Sequence, residues 1–247
     1  MLAELATFRD TVIANARLEP GDKVVDVGTG TGLLTVAAAE RVPEGDVFAI
    51  DVSVDALEEL RRGSTAPNVF YFVGGAEVLP LVDASVDVVL TRSVLIYVDD
   101  KAEAAREFFR VLSSGGRVSI FEPINSRNTR LSEVVDFGDL RPQVEEWERG
   151  TYEDRADPML NFDESDLERM FRAAGFVEVK MDFRRGDSEL GAERMLTVVG
   201  APGRLSLLDA WRKHFAADVA EQLAAAVRAT GPIQRSWPQL YLTALKP

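Results

Sequence analysis

The stretch Val24-Val25-Asp26-Val27-Gly28-Thr29-Gly30-Thr31-Gly32 constrains this chain more than any other. A β-branched run ends in an acid and passes through alternating glycines into Leu33-Leu34-Thr35-Val36-Ala37-Ala38-Ala39, a segment of helical propensity. The pattern predicts strand, tight turn and helix. Glycine is required where φ is positive or where a ligand lies against bare backbone, and the helix start offers free N–H groups. A nucleotide-like ligand fits such a turn. A dinucleotide fingerprint would read G-x-G-x-x-G, but here the third glycine, Gly32, comes one place early and Leu33 takes the expected position. Asp26, two residues before the first glycine, is expected at the carboxyl end of the strand, where its charge suits a cationic ligand better than a pyrophosphate.

This D-x-G-x-G-x-G after an apolar strand resembles motif I of the class I S-adenosylmethionine-dependent methyltransferases. The resemblance implies an α/β, doubly wound, Rossmann-like, mostly parallel seven-stranded sheet with an antiparallel last strand. It also implies S-adenosyl-L-methionine as cofactor, whose sulfonium and ammonium face an acidic wall rather than an arginine or lysine phosphate clamp. It covers residues 20–122 well, resumes near 161–184 and touches the last strand.

The rest of the chain fits that frame. Leu2, Leu5, Phe8, Val12, Ile13 and Ala16 recur at helical spacing before Pro20-Gly21. Val47 to Ile50 reads as a second strand ending at Asp51, where an acid can accept both hydroxyls of a ribose, and Ser53 is placed to cap the next helix. Val69 to Val73 is a third strand, followed by Gly74-Gly75-Ala76-Glu77-Val78-Leu79-Pro80. The resembling family usually has G-D-A-E-x-L-P here, with the aspartate meeting the adenine amino group, so Gly75 is a departure from its pattern.

A fourth strand, Val86 to Leu90, ends at Thr91-Arg92-Ser93. Asp99 or Asp100 then caps a helix that Ser113-Ser114-Gly115-Gly116 stops, and Val118 to Phe121 is a fifth strand with Glu122 at its carboxyl end. By resemblance the cofactor residues are Asp26, Gly28, Thr29, Gly30, Asp51, Val52, Gly75, Ala76, Glu77 and Arg92. The segment Val94 to Val98 is expected to close the site.

From Pro123 to Leu160 the periodicity fades, too long a stretch for a simple crossover. Asp163 caps a further helix, Val177 to Phe183 alternates like a strand, and Met195 to Val199 is a short apolar run before Ala201-Pro202-Gly203. Leu208, Trp211, Phe215, Val219, Leu223 and Val227 follow helical spacing up to Thr230-Gly231-Pro232, and Leu240 to Pro247 resembles the reversed last strand. The expected organisation is one methyltransferase domain over residues 1–247, with 123–160 and 203–230 as helical cap insertions that cover a substrate cleft or form a homodimer contact.

Composition narrows the partners. A net charge of -13 argues against a protein that grips phosphate backbones, so nucleic acid is not expected as substrate. The absence of cysteine excludes disulfides, thiolate metal sites and a cysteine nucleophile. No stretch approaches the ~20 apolar residues of a membrane span, and no basic segment followed by an apolar one opens the chain. No membrane association and a cytoplasmic location are therefore expected.

Methyl transfer from a sulfonium needs no metal and no covalent enzyme intermediate, because the leaving thioether is neutral; alignment in a dry pocket supplies most of the rate. The expected function is transfer to an O, N or C atom of a small-molecule acceptor. A hydroxyl acceptor benefits from a general base. Glu122 at a strand end, Tyr97 and the single histidine, His214, are the candidates for catalysis, each with a bland reading as loop support, half-buried aromatic or surface residue. Two other functions stay open at this level: a regulatory module that binds the cofactor without turnover, and a nicotinamide-dependent oxidoreductase, against which the misplaced third glycine speaks.

Overall fold

Val24–Val27 (β1) is buried at every position, as a strand covered on both faces requires. Val47–Asp51 (β2) and Val86–Arg92 (β4) run parallel to it on either side. Val69–Val73 (β3) lies beyond β2 and Leu112–Pro123 (β5) beyond β4, again parallel. Ile233–Leu245 (β7) pairs antiparallel with β5, so that Ile120 faces Leu242 and Glu122 faces Leu240. With Val177–Leu190 (β6) at the edge, the order is β3-β2-β1-β4-β5-β7-β6. This is the doubly wound α/β sheet with a reversed last strand that the family resemblance implies. Strand order turns back between β1 and β4, and in open sheets that switch point is where a crevice opens at the carboxyl ends.

The computed structural model describes residues 2–201 and 203–247. The side chain of Leu2, expected in the stripe of the first helix, and Pro202, expected in a turn, lie outside the described residues. The α-helices are Leu2–Ala16 (α1), Leu33–Arg41 (α2), Val54–Gly63 (α3), Lys101–Val111 (α4), Leu131–Val134 (α5), Arg141–Tyr152 (α6), Glu164–Ala173 (α7), Ala192–Thr197 (α8), Leu207–His214 (α9) and Ala217–Thr230 (α10). Three of their starts follow the expected capping chemistry. Ser53 accepts the N–H of Ala56, Asp100 that of Glu103, and Asp163 those of Ser165 and Asp166.

The chain divides into two compact units. The first comprises Met1–Ile124, Ala156–Arg184 and Gln239–Pro247. Its core joins Val25, Val89, Ile120 and Leu242 of the sheet to Phe108 of α4 and Phe171 of α7. Phe8 of α1 is buried and stacks on Phe121 of β5 with centroids 4.5 Å apart, so its ring packs the core. The second unit comprises Asn125–Arg155 and Arg185–Pro238, including the far ends of β6 and β7. Its own core gathers Phe137, Val144, Leu196, Leu208, Leu223 and Val227 around Trp211.

Three local expectations are corrected. Ser113 to Gly116 does not separate helix from strand; it forms an irregularity inside β5, where the pairing with β4 jumps from Val86↔Leu112 to Val88↔Arg117 and Gly115 takes a φ of +80°. Of the apolar run from Met195 to Val199, Met195 to Thr197 end a helix, α8, and Val198 and Val199 lie beyond it. The helical pattern from Leu208 to Val227 is two helices, because Phe215 and Ala216 are extended and Phe215 turns back onto the unit's core.

Candidate functional site

The turn after β1 is built from backbone that only glycine tolerates. Gly28 has a φ of +68°, and a Cβ there would stand 2.4 Å from a methyl of Val94; Gly32 has a φ of +92°, and a Cβ there would stand 2.1 Å from a methyl of Leu60. An L side chain would be strained at both positions and would displace core atoms as well. The amides of Gly28 and Thr29 both donate to the carbonyl of Ile50, at 2.7 and 3.0 Å, which fixes the turn against the end of β2.

Beyond that turn lies a cleft of about 360 Å³. It brings together seven of the sequence-predicted residues: Gly28, Asp51, Val52, Gly75, Ala76, Glu77 and Arg92. Tyr97 lines it as well and is 53% exposed. Asp51 accepts the amide of Gly30 on one carboxylate oxygen (2.8 Å) and that of Ser53 on the other (2.9 Å), leaving each oxygen capacity for a further donor. Gly30 thus serves the site by holding Asp51. Val52 beside it is 74% exposed, an apolar face offered to a flat ligand. Glu77 accepts the amide of Asp100 at 2.8 Å and so ties the third-strand loop to the start of α4.

Asp26 is placed otherwise than the sequence suggests. It is 1% exposed and forms no part of the cleft wall. One oxygen accepts the hydroxyl of Thr35, a residue of α2, at 2.6 Å, and that hydroxyl lies 2.5 Å from the hydroxyl of Thr29. The cause is the central strand itself: both faces are covered, so an acid in β1 is carried beneath the glycine turn. Burial pushes its carboxyl up to about 6, against the opposing pull of the Thr35 and Thr29 hydroxyls and the charge of Arg92. Asp26 and Thr29 therefore staple the turn to the helix. Thr35 was missed in the sequence; a hydroxyl one turn into the helix after an acid-led glycine turn was the available signal.

The catalytic candidates separate. Glu122 is 0% exposed, and its two oxygens accept the amides of Val94, Leu95 and Ile96. Burial raises its carboxyl to about 7, although those three amides and the charge of Lys101 pull it down. His214 lies in the second unit, exposed at the end of α9 with its ring edge-on to Phe215. Lining positions that the sequence left unassigned are Val27, Gly74 and Ser93; Val94 and Val98 fall in the segment expected to close the site. Among the described residues no group of three or more His, Asp or Glu could hold a metal ion.

The ubiquinone/menaquinone biosynthesis C-methyltransferase UbiE of Idiomarina loihiensis is 34% identical over 171 residues, which is 64% of this chain and 68% of that protein. A family model described as a methyltransferase domain matches residues 25–120. This chain belongs to the class I S-adenosylmethionine-dependent methyltransferases. Its cofactor is S-adenosylmethionine, and it is an enzyme of that class. Among solved structures, the YcgJ protein of Bacillus subtilis shares the fold at a TM-score of 0.63 and 18% identity, covering 100% of this chain and 99% of that one. Phosphoethanolamine N-methyltransferase 2 of Haemonchus contortus, solved with S-adenosyl-L-methionine, shares it at 0.58 and 16% identity, covering 98% of this chain and 52% of that one. No helix among the described residues is long and apolar enough to cross a membrane.

The donor set of the cleft fits this methyltransferase cofactor. Two carboxylates, Asp51 and Glu77, stand against a single guanidinium, Arg92, so the wall carries no cluster of cations such as a pyrophosphate calls for. Gly75 has no positive φ, and a Cβ there would meet only a methyl of Val52, at 3.7 Å. An aspartate can therefore be introduced without strain. Gly75→Asp is expected to tighten S-adenosylmethionine binding, by ~1 kcal/mol at most, because a new charge-assisted hydrogen bond to the adenine amino group is offset by repulsion from Glu77 and by loss of bound water. Calorimetry on parent and variant at equal folded fraction checks this; a clear loss of affinity in a folded variant would place the adenine elsewhere.

Proposed function

We propose that the cleft holds S-adenosylmethionine with its ribose on Asp51, its adenine between Val52 and the Gly75-Ala76 backbone, and its methionine end toward Arg92 and the 93–98 segment, and that the enzyme methylates a carbon of a small, electron-rich acceptor. The observation that carries the cofactor pose is the convergence of Asp51, Val52, Gly75, Ala76 and Glu77 on one cleft beside the glycine turn. The acceptor atom rests on the likeness to C-methyltransferases, and the acceptor's size on the charge of -13, which repels polyanions.

When bound, the cofactor supplies a methyl group activated by its sulfonium. The chain's own residues then have three tasks. Asp51 accepts from the ribose hydroxyls and so fixes the reach of the methyl group. Val52 would cover the adenine, while Val94 and Val98 would exclude water from the methionine end, where the transferable methyl group would lie. Tyr97, the hydroxyl at the cleft's lip, orients the acceptor and takes a hydrogen bond from it or gives one. Residues 123–160 and 203–230 are assigned the choice of acceptor.

Two measurements test this reading. S-adenosylhomocysteine is expected to raise the melting temperature while NAD and NADP do not, since a ligand at 100 times its dissociation constant adds about 2.7 kcal/mol; the reverse preference would remove the cofactor from this cleft. Isotope-labelled methyl donor, incubated with phenolic, enolic, amine and alcohol acceptors, is then expected to give a carbon-bound methyl by NMR. Products methylated only at nitrogen or oxygen would overturn the carbon assignment.

A further inference from the structure

Glu122 ends the buried part of β5, and burying a carboxylate is costly unless its lone pairs are met. They are met here by three consecutive amides: Val94 and Leu95 donate to Oε1, each at 2.8 Å, and Ile96 donates to Oε2 at 3.3 Å. Consecutive N–H groups pointing the same way belong to the first turn of a helix, and Leu95–Tyr97 is a single 3₁₀ turn that makes no such bonds at its own start. β5 holds this segment at a second point, where the amide of Ser93, at a φ of +55°, donates to the carbonyl of Phe121 at 2.8 Å.

What the turn carries is the cleft wall. Ser93, Val94, Tyr97 and Val98 all line it, and Val94 packs over Gly28 of the glycine turn. We infer that Glu122 is a positioning residue: by gripping the amides of Val94, Leu95 and Ile96 it sets where the wall of the cleft stands, and through that wall it sets how tightly the cofactor is held. The inference rests on the cofactor pose proposed above.

The same geometry removes Glu122 from acid–base work on the acceptor, because both oxygens are engaged behind the wall and neither lines the cleft. The charge that acts on it, Lys101 of α4, has its own partners, donating to the carbonyl of Val98 and to Oδ1 of Asn161, each at 2.8 Å. That lysine closes the far end of the same segment.

The test compares the parent with Glu122→Gln and Glu122→Asp by amide hydrogen exchange and by calorimetry with S-adenosylhomocysteine. Glutamine keeps one acceptor oxygen for Val94 and Leu95 but turns its amide nitrogen, a donor, toward the N–H of Ile96; aspartate is one methylene short of all three. In Glu122→Gln, exchange at Val94, Leu95 and Ile96 is expected to quicken about tenfold and the dissociation constant to rise about tenfold, while Val89 and Ile120 keep the parent's protection. Glu122→Asp is expected to lose more at the same amides. Should Asp fail to fold, Gln carries the comparison. Faster exchange at 94–96 with unchanged affinity would overturn the proposal, as would an equal loss of protection across β4 and β5, which marks a residue that merely supports the core. A parent chain that protects 94–96 and yet binds no S-adenosylhomocysteine would show instead that the cofactor pose is at fault, and the inference would fall with it.

Discussion

Asp51→Ala is expected to weaken S-adenosylhomocysteine binding by ~2 kcal/mol or more, about thirtyfold in dissociation constant. Two losses add. In the proposed pose the variant removes a charged acceptor from two ribose hydroxyls, which are then poorly satisfied inside the cleft. It also frees the amides of Gly30 and Ser53, which Asp51 holds at 2.8 and 2.9 Å, so the glycine turn and the start of α3 must be ordered anew when ligand binds. Asp51→Asn, which keeps an acceptor of the same size without the charge, is expected to fall between parent and Ala. Because Asp51 is only half-buried, ligand-free melting should move far less than affinity does. Calorimetry with unchanged affinity in Asp51→Ala would show that the ribose is held elsewhere.

Trp211→Ala is expected to destabilise the second unit by about 3–5 kcal/mol, the usual cost of emptying an aromatic site in a packed core. The indole is 0% exposed and meets Phe137 and Trp147 edge-on, each at 6.1 Å between centroids. Its ring nitrogen is buried without a hydrogen-bond partner among the described residues, a penalty that the native protein already bears. Trp211→Phe removes that stranded N–H along with part of the ring and is therefore expected to cost clearly less than Ala. Urea unfolding followed by tryptophan fluorescence and by hydrogen exchange in α9 and α10 checks both variants. Equal losses for Phe and Ala would mean that a phenyl ring recovers none of the indole's packing and that ring volume does not decide this core.

Both residues were visible in the sequence, but for different reasons. Asp51 stood at the end of an apolar strand, and strand ends in a doubly wound sheet have one destination, the crevice. Trp211 stood on a helical stripe, which marks a buried face without naming what it packs against. Glu122 lay between the two cases. A strand-end acid could face the ligand or hold a loop, and the choice depended on whether residues 94–96 ran back across it. Asp26 misled for a related reason. Its place in the motif suggested a wall, whereas its burial follows from the cover on both faces of β1, which no local pattern displays. In α6, Val144 and Glu148 are the buried residues, so its amphipathic signal was too sparse to read.

Local chemistry therefore determined a great deal without tertiary help. Glycine spacing, β-branched runs, capping residues and the order of elements are short-range properties, and they were sufficient for the alternating strands and helices and for the motif that marks the family; the reversed last strand followed from the resemblance to that family. Tertiary structure decided which polar groups face solvent and which face one another. It turned Asp26 toward Thr35, gave Glu122 to the amides of 94–96, left Asp51 at the cleft, and broke the long helical pattern at Phe215. The physical reason is that a polar group's role is set by its partners. In this chain the partners of Glu122 lie 26 to 28 residues away in sequence, brought together only when β4 and β5 pair.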